Sequence, residues 1–179
     1  MNKTATPYHF RPFTRADLRI TAGWLRTPEV IRWWGNPERE ETLITQDLGE
    51  PLMQQWIVEH ERRPFAYAQA YPVRAWPQPR LAHLPDGARV IDTFIGEPAM
   101  LGHGHAGRYL RLLAEMLLAE GASVVAIDPD LGNRRARRAF AHAGFVEEQA
   151  KQTGDGAAVL MLYREAANHL SPPDIEASH

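Results

Sequence analysis

The chain has 179 residues, 44% of them hydrophobic and 23% charged, with 20 Lys plus Arg against 22 Asp plus Glu. This is the composition of a globular protein with one sizeable core, and a formal charge of −2 argues against a general nucleic-acid binder. Cysteine is absent, which excludes disulfides, thiolate metal sites and an acyl-cysteine intermediate. No apolar run is long enough to span a membrane, and the start MNKTATPYHF lacks the apolar core of a signal peptide, so a cytoplasmic protein is expected.

In chain order, YHFRPF (8–13) alternates as a first strand, and Thr14 with Asp17 three residues on starts a helix running to about Arg26. Pro28 opens a short second helix through VIRWWG, closed by Gly35. Residues 36–53 carry Asn36-Pro37 and Gly49-Glu50-Pro51 and read as loop and helix fragments. Residues 54–73 read as two antiparallel strands joined at Glu61-Arg62-Arg63. The stretch 74–88, with Pro77, Pro79 and Pro85, cannot be a central strand and is expected to be a long loop. A strand over 88–95 follows, then a helix from about Gly104 to Glu120 with Leu110, Leu113, Leu117 and Leu118 on one face. ASVVAID (122–128) is a β-branched strand, NRRARRAFAHAG (133–144) a helix, and FVEEQ with AAVLMLYR a closing hairpin around residues 153–156. The whole chain is expected to be one domain, with a core over about 8–164 and a loosely held tail over 165–179.

LGHGHAGRYL (101–110) is the most telling stretch. Gly102, Gly104 and Gly107 open a helix, and unpartnered N–H groups converge at such a terminus, where the helix dipole favours an anion. No Lys-Ser/Thr pair follows, so this is not a Walker loop, and no acid about twenty residues on completes a dinucleotide fingerprint. A plain strand-to-helix turn is the competing reading. His103 and His105 alternate, but no further ligands cluster beside them, so they are placed on a solvated phosphate loop without metal. Arg134, Arg135, Arg137 and Arg138 are either a solvated helix face or phosphate ligands.

The pair LGHGHA and NRRARRAFAHAGF resembles the acetyl-CoA-binding core of the GCN5-related N-acetyltransferases, with the likeness running from about Phe10 to Tyr163. The resemblance implies a mixed, mostly antiparallel α/β sheet of six to seven strands flanked by helices, splayed at the acetyl-CoA site. It places acetyl-CoA in the loop from Leu101 and Gly102 to Arg108, with the pyrophosphate on the N–H groups of His103, Gly104, His105, Ala106 and Gly107 and Arg108 adding charge. Pantetheine is implied along Thr93, Phe94 and Ile95, with Asn133, Arg138 and Phe140 also beside the cofactor. Many members have at the Phe140 position a tyrosine that protonates the leaving thiolate, which a phenylalanine cannot do. The absent hydroxyl also leaves open a non-catalytic acyl-CoA-binding module.

WWG (33–35), AYAQAY (66–71), VIDTFIGEPAMLG (90–102) and IDP (127–129) resemble more narrowly the aminoglycoside 6′-N-acetyltransferases. That likeness implies that Asp92 and Asp128 hold the substrate amines, one of them as base, with Asp86 near a third acidic position but one residue out of register. Blander roles are available: Asp128 capping the turn Asp128-Pro129-Asp130, and Asp92 meeting Arg89. Trp33 or Trp34 is expected to line the acceptor cleft while the other closes the core, with Gln69 and Tyr71 adding hydrogen bonds. Siderophore-type lysine acyltransferases share the pattern but carry a histidine at the Asp92 position. Two aspartates therefore favour a polycationic small-molecule amine, with no metal, nucleic-acid or membrane partner, acting in a monomer or homodimer.

Overall fold

The computed structural model describes residues 6–148 and 158–164. They build one seven-stranded sheet in the order β1-β2-β3-β4-β5-β7-β6. Its strands are β1 (Tyr8–Pro12), β2 (Gln54–His60), β3 (Arg63–Pro72), β4 (Arg89–Ile95), β5 (Val125–Ile127), β6 (Val146–Glu147) and β7 (Met161–Tyr163). Only β4 and β5 run parallel. The helix α4 (His105–Ala119) supplies the crossover that a parallel pair requires. The turn expected around 153–156 and the tail lie outside the described residues.

Helices cover both faces. On one, α4 and α5 (Arg134–Ala143) pack on Ile91, Val125, Ile127 and Met161. Leu110, Leu113 and Leu117 of α4 are fully buried there, the stripe read from their spacing. Each contributes about 1.5–3 kcal/mol relative to exposure. Gly107 permits the close approach of α5, since a Cβ there would stand 3.0 Å from the Ala139 carbonyl. On the other face lie α1 (Leu18–Leu25), α2 (Pro28–Trp34) and α3 (Pro37–Asp47), burying Trp24, Leu25, Val30 and Ile44 against Ile57, Tyr67 and Phe94.

Three local expectations are corrected. Residues 37–47 form one continuous helix rather than fragments, begun by Asn36, whose Oδ1 accepts from the Arg39 N–H at 2.8 Å. The first helix begins with a 3-10 turn over Arg15–Asp17, held by the Thr14–Asp17 capping box. The strand read over 122–128 spans only Val125–Ile127: β4 begins at Arg89, opposite Val125, and its pairing with β5 stops early, at Val90 opposite Ala126.

Candidate active site

That early stop makes the site. β4 pairs with β3 through to Ile95, but its pairing with β5 ends at Val90↔Ala126. From Asp92 to Ile95 the β5-facing backbone groups of β4 therefore have no strand partner among the described residues. Strands that diverge in this way leave a slot through the sheet, with unsatisfied amides and carbonyls able to pair with an extended, peptide-like ligand.

The slot opens into a narrow cavity of about 110 Å³ that runs from Trp33 and Trp34 of α2, past Thr93 and Ile95 of β4, to Leu101, Ala106, Tyr109 and Phe140 on the α4–α5 side. At its outer end, α4 begins at Gly104, which has φ +76° and no side-chain cap. Gly102 has φ +80°. Both lie in the left-handed region where a Cβ is strained, so glycine lets the loop turn its N–H groups outward at the positive end of the helix dipole. Arg108 is exposed beside Gly104. Asn133, on the cavity wall, caps α5 through its Oδ1, which accepts from the Ala136 N–H at 3.1 Å.

The α1–α3 side holds a larger cleft of about 640 Å³. Alternation along the strands places Gln69 and Tyr71 of β3 and Asp92 of β4 on this face, with Gln69 opposite Asp92 in register. Asp92 sits at the end of a buried polar chain. The Gln55 amide donates to the Tyr67 hydroxyl at 2.7 Å, that hydroxyl donates to Gln69 Oε1 at 2.6 Å, and Gln69 Nε2 donates to Asp92 Oδ2 at 3.0 Å. Burial, and then the charge of Asp128, push the Asp92 carboxyl up from 3.8 to about 7, despite the opposing Gln69 hydrogen bond and Arg80. A carboxyl titrating there is matched to accepting a proton near neutral pH.

Trp33 and Trp34 both line the cleft and the narrow cavity. Trp34 also closes the core, edge-on to Phe94 at 4.8 Å, while Arg32 stacks over the Trp33 ring at 4.9 Å. Tyr71 is buried, and its hydroxyl accepts from Gln78 at 3.3 Å.

Other sequence-predicted residues fall differently. Asp128 neither caps its turn nor stands open: Arg80, from the proline-dense loop, donates to its Oδ2 at 2.6 Å. The turn is capped by Asp130, whose Oδ1 accepts from Gly132 N–H at 2.7 Å. Arg89 bonds Gln54 rather than Asp92. Asp86 is not part of the cleft lining; it is exposed on the loop, where it pairs with Arg74.

His105 does not sit in a solvated loop. Its Nδ1 meets the Tyr8 hydroxyl at 2.7 Å and its ring packs against His60 and Phe65. Burial, and then the neighbouring His60, Arg108 and His103 charges, lower its pKa and favour the neutral ring. His103 is exposed. Arg135 and Arg137 pair with Glu29 and Glu147, whereas Arg138 is exposed on α5. Phe140 lines the cavity against Phe145 and offers no proton.

Sequence reasoning missed three features. Glu40 and Asp47 of α3 line the cleft, their carboxyl pKa values raised by burial. Their spacing of seven, two helical turns, was the available signal. Tyr67 links the chain to Asp92, and its alternation with Gln69 pointed to a shared face. Tyr109 brings a buried hydroxyl to the cavity near Phe140, bonded at 2.8 Å to Thr93 Oγ1. Because that threonine already donates to the Tyr67 carbonyl at 2.6 Å, the tyrosine is the donor. A hydroxyl on the apolar face of α4 was the clue. No group of three or more metal-ligating side chains occurs among the described residues.

An open helix terminus beside a slot between parallel strands, with a carboxyl pushed up to about 7 next to it, can hold a phosphate-bearing ligand beside a proton acceptor. Residues 14–153 match the acetyltransferase (GNAT) domain, and the chain belongs to that family. It is 28% identical over 170 residues to the aminoglycoside N(6′)-acetyltransferase type 1 of Klebsiella pneumoniae, covering 88% of this chain and 83% of the relative. A shorter match, 33% over 82 residues, joins 45% of this chain to 76% of a kanamycin resistance protein of Rhizobium radiobacter. Among solved structures, the aminoglycoside acetyltransferase AAC(6′)-Ib in complex with ribostamycin and coenzyme A superposes with a TM-score of 0.80 at 26% identity, covering 93% of this chain and 98% of that one. The complex of the same enzyme with coenzyme A and kanamycin superposes at 0.78, also at 26% identity, covering 88% of this chain and 94% of that one.

Proposed function

We propose that this chain transfers an acetyl group from acetyl-CoA to the 6′-amine of an aminoglycoside by direct attack in a ternary complex. The observation that carries the reading is the placement of Asp92, a carboxyl raised to about 7, where the slot meets the large cleft. The similarity to enzymes crystallised with coenzyme A and aminoglycosides supports the choice of both substrates.

Acetyl-CoA supplies the acetyl group as a thioester. The first-turn N–H groups of α4 and Arg108 meet its pyrophosphate, and the free backbone of Thr93 to Ile95 pairs with its pantetheine arm and polarises the carbonyl. Asp92 takes the proton from the acceptor ammonium, since only the neutral amine attacks, and Gln69 keeps one carboxylate oxygen fixed while the other faces the amine. Glu40 and Asp47 attract the remaining ammonium groups, and Trp33 and Trp34 form a wall against which a sugar ring packs. With Phe140 in place of a hydroxyl-bearing residue, the thiolate leaves without help from that position; a thiol pKa of about 8.5 makes it an adequate leaving group. Dependence on acetyl-CoA fits the expected cytoplasmic location.

Thiol release from acetyl-CoA, followed spectrophotometrically across kanamycin, ribostamycin, polyamines, lysine derivatives and peptides, tests the proposal. Turnover confined to the aminoglycosides is expected. Turnover of lysine derivatives or peptides with aminoglycosides inert refutes the acceptor, and tight acetyl-CoA binding without any turnover refutes catalysis.

A further inference from the structure

The ion pair between Arg80 and Asp128 has no place in the reaction above. Arg80 lies in the short 3-10 turn Pro79–Leu81, which is anchored by the buried Leu81. Two residues earlier, Gln78 lines the acceptor cleft and bonds the Tyr71 hydroxyl. The turn is thus continuous with the cleft wall. Arg80 Nε donates to Asp128 Oδ2 at 2.6 Å, and its Nη2 makes a second, closer contact with the same oxygen.

The two partners are unequally held. The Arg80 side chain is 47% exposed and that of Asp128 only 10%. Asp128 follows the last residue of β5 and precedes the buried Pro129, so the carboxylate is fixed and the guanidinium is the partner free to leave into water. Asp128 is also near enough to Asp92 for its charge to raise the Asp92 pKa.

We propose that Arg80, held behind the cleft wall at Gln78, is a specificity-determining residue, a built-in cation occupying the carboxylate that a second substrate ammonium must take over. This rests on the aminoglycoside reading above. An acceptor with a single amine engages Asp92 and leaves the Arg80–Asp128 pair intact. An acceptor with two ammonium groups spaced to reach both aspartates exchanges one for the guanidinium, which swings out and is rehydrated. The exchange keeps Asp128 paired throughout, so no bare carboxylate is left buried. Arg80 therefore sets how strongly the cleft prefers polyamines, without touching the reacting atoms.

Arg80→Gln keeps a hydrogen-bond donor beside Asp128 but removes the competing charge. The test compares KM for kanamycin with KM for 6-amino-6-deoxyglucose, which has one amine. In the variant the kanamycin KM is expected to fall roughly tenfold, the scale of one charge-assisted hydrogen bond, with little change for the monoamine. Arg80→Lys, retaining the charge, should return the ratio towards wild type.

A second readout separates this role from a merely structural one. The groups whose charges or hydrogen bonds bear on Asp92 are Gln69 of β3, Asp128 after β5, Arg80 of the loop and Asp47 of α3, and Tyr71 of β3 faces the same carboxylates. Of these only Arg80 is a cation, so its loss should move the acid limb of kcat/KM to higher pH. An unchanged KM ratio, or an equal rise in both KM values, overturns the inference while wild-type turnover of kanamycin upholds the parent reading. No wild-type turnover of kanamycin overturns both.

Discussion

Asp92→Asn should slow turnover severely and, above neutral pH, make the protein more stable. A carboxyl whose pKa is higher in the folded state binds more protons folded than unfolded, so lowering the pH stabilises the fold between the two pKa values. For Asp92 the window runs from an ordinary 3.8 to about 7. The penalty for holding it charged is absent below pH 4 and complete above pH 7. At 1.36 kcal/mol per pH unit this gap corresponds to about 4 kcal/mol, a ceiling because the carboxylate keeps a face to the solvated cleft. The amide oxygen of asparagine can still accept from Gln69, so the polar chain ending at Gln55 survives. Urea denaturation of wild type and variant at pH 5 and pH 8 measures the effect. The variant should gain about 2–4 kcal/mol on wild type at pH 8 and much less at pH 5. Its kcat should fall by about 10²–10⁴-fold with acetyl-CoA affinity unchanged. A stability gain that is absent, or independent of pH, refutes the raised pKa; full kcat with kanamycin refutes the base.

Tyr67→Phe cuts the chain behind Asp92 and strands Gln69 Oε1 in a buried position, so stability should fall by about 1–3 kcal/mol in denaturant, with kcat falling more than acceptor KM rises. Gly107→Val drives a side chain into the α4–α5 contact, where even a Cβ stands 3.0 Å from the Ala139 carbonyl, and a loss of about 1–3 kcal/mol should appear as a lowered Tm. Gly104→Val places a β-branched residue at φ +76°, and calorimetry should show weakened acetyl-CoA binding that the same change at the exposed Gly49 does not produce.

What the sequence determined by itself was local. The Leu110–Leu113–Leu117 stripe predicts a buried helix face because periodicity needs no knowledge of the partner surface. The glycines of 102–107 announce an open helix terminus because backbone sterics are intrinsic to each residue. Asp92, at mid-strand, signals a site because a charge there is costly to bury without a function or a partner. The α3 helix reads only as loop and helix fragments, although Asn36-Pro37 is a sound helix start, because it buries only Ile44 and so carries a faint apolar stripe.

Tertiary structure alone decided the rest, through pairings between residues distant in sequence. Arg80 meets Asp128 across 48 positions and His105 meets Tyr8 across 97, and neither leaves a mark on the residues between. The same holds for the function of Asp92. Its sequence context supplies a carboxylate, but its pKa depends on how much water the cleft admits and which charges converge from β3, β5, α3 and the proline-dense loop. These are properties of three-dimensional proximity in a medium of low polarizability, where one neighbour's charge or one hydrogen bond is worth far more than in water.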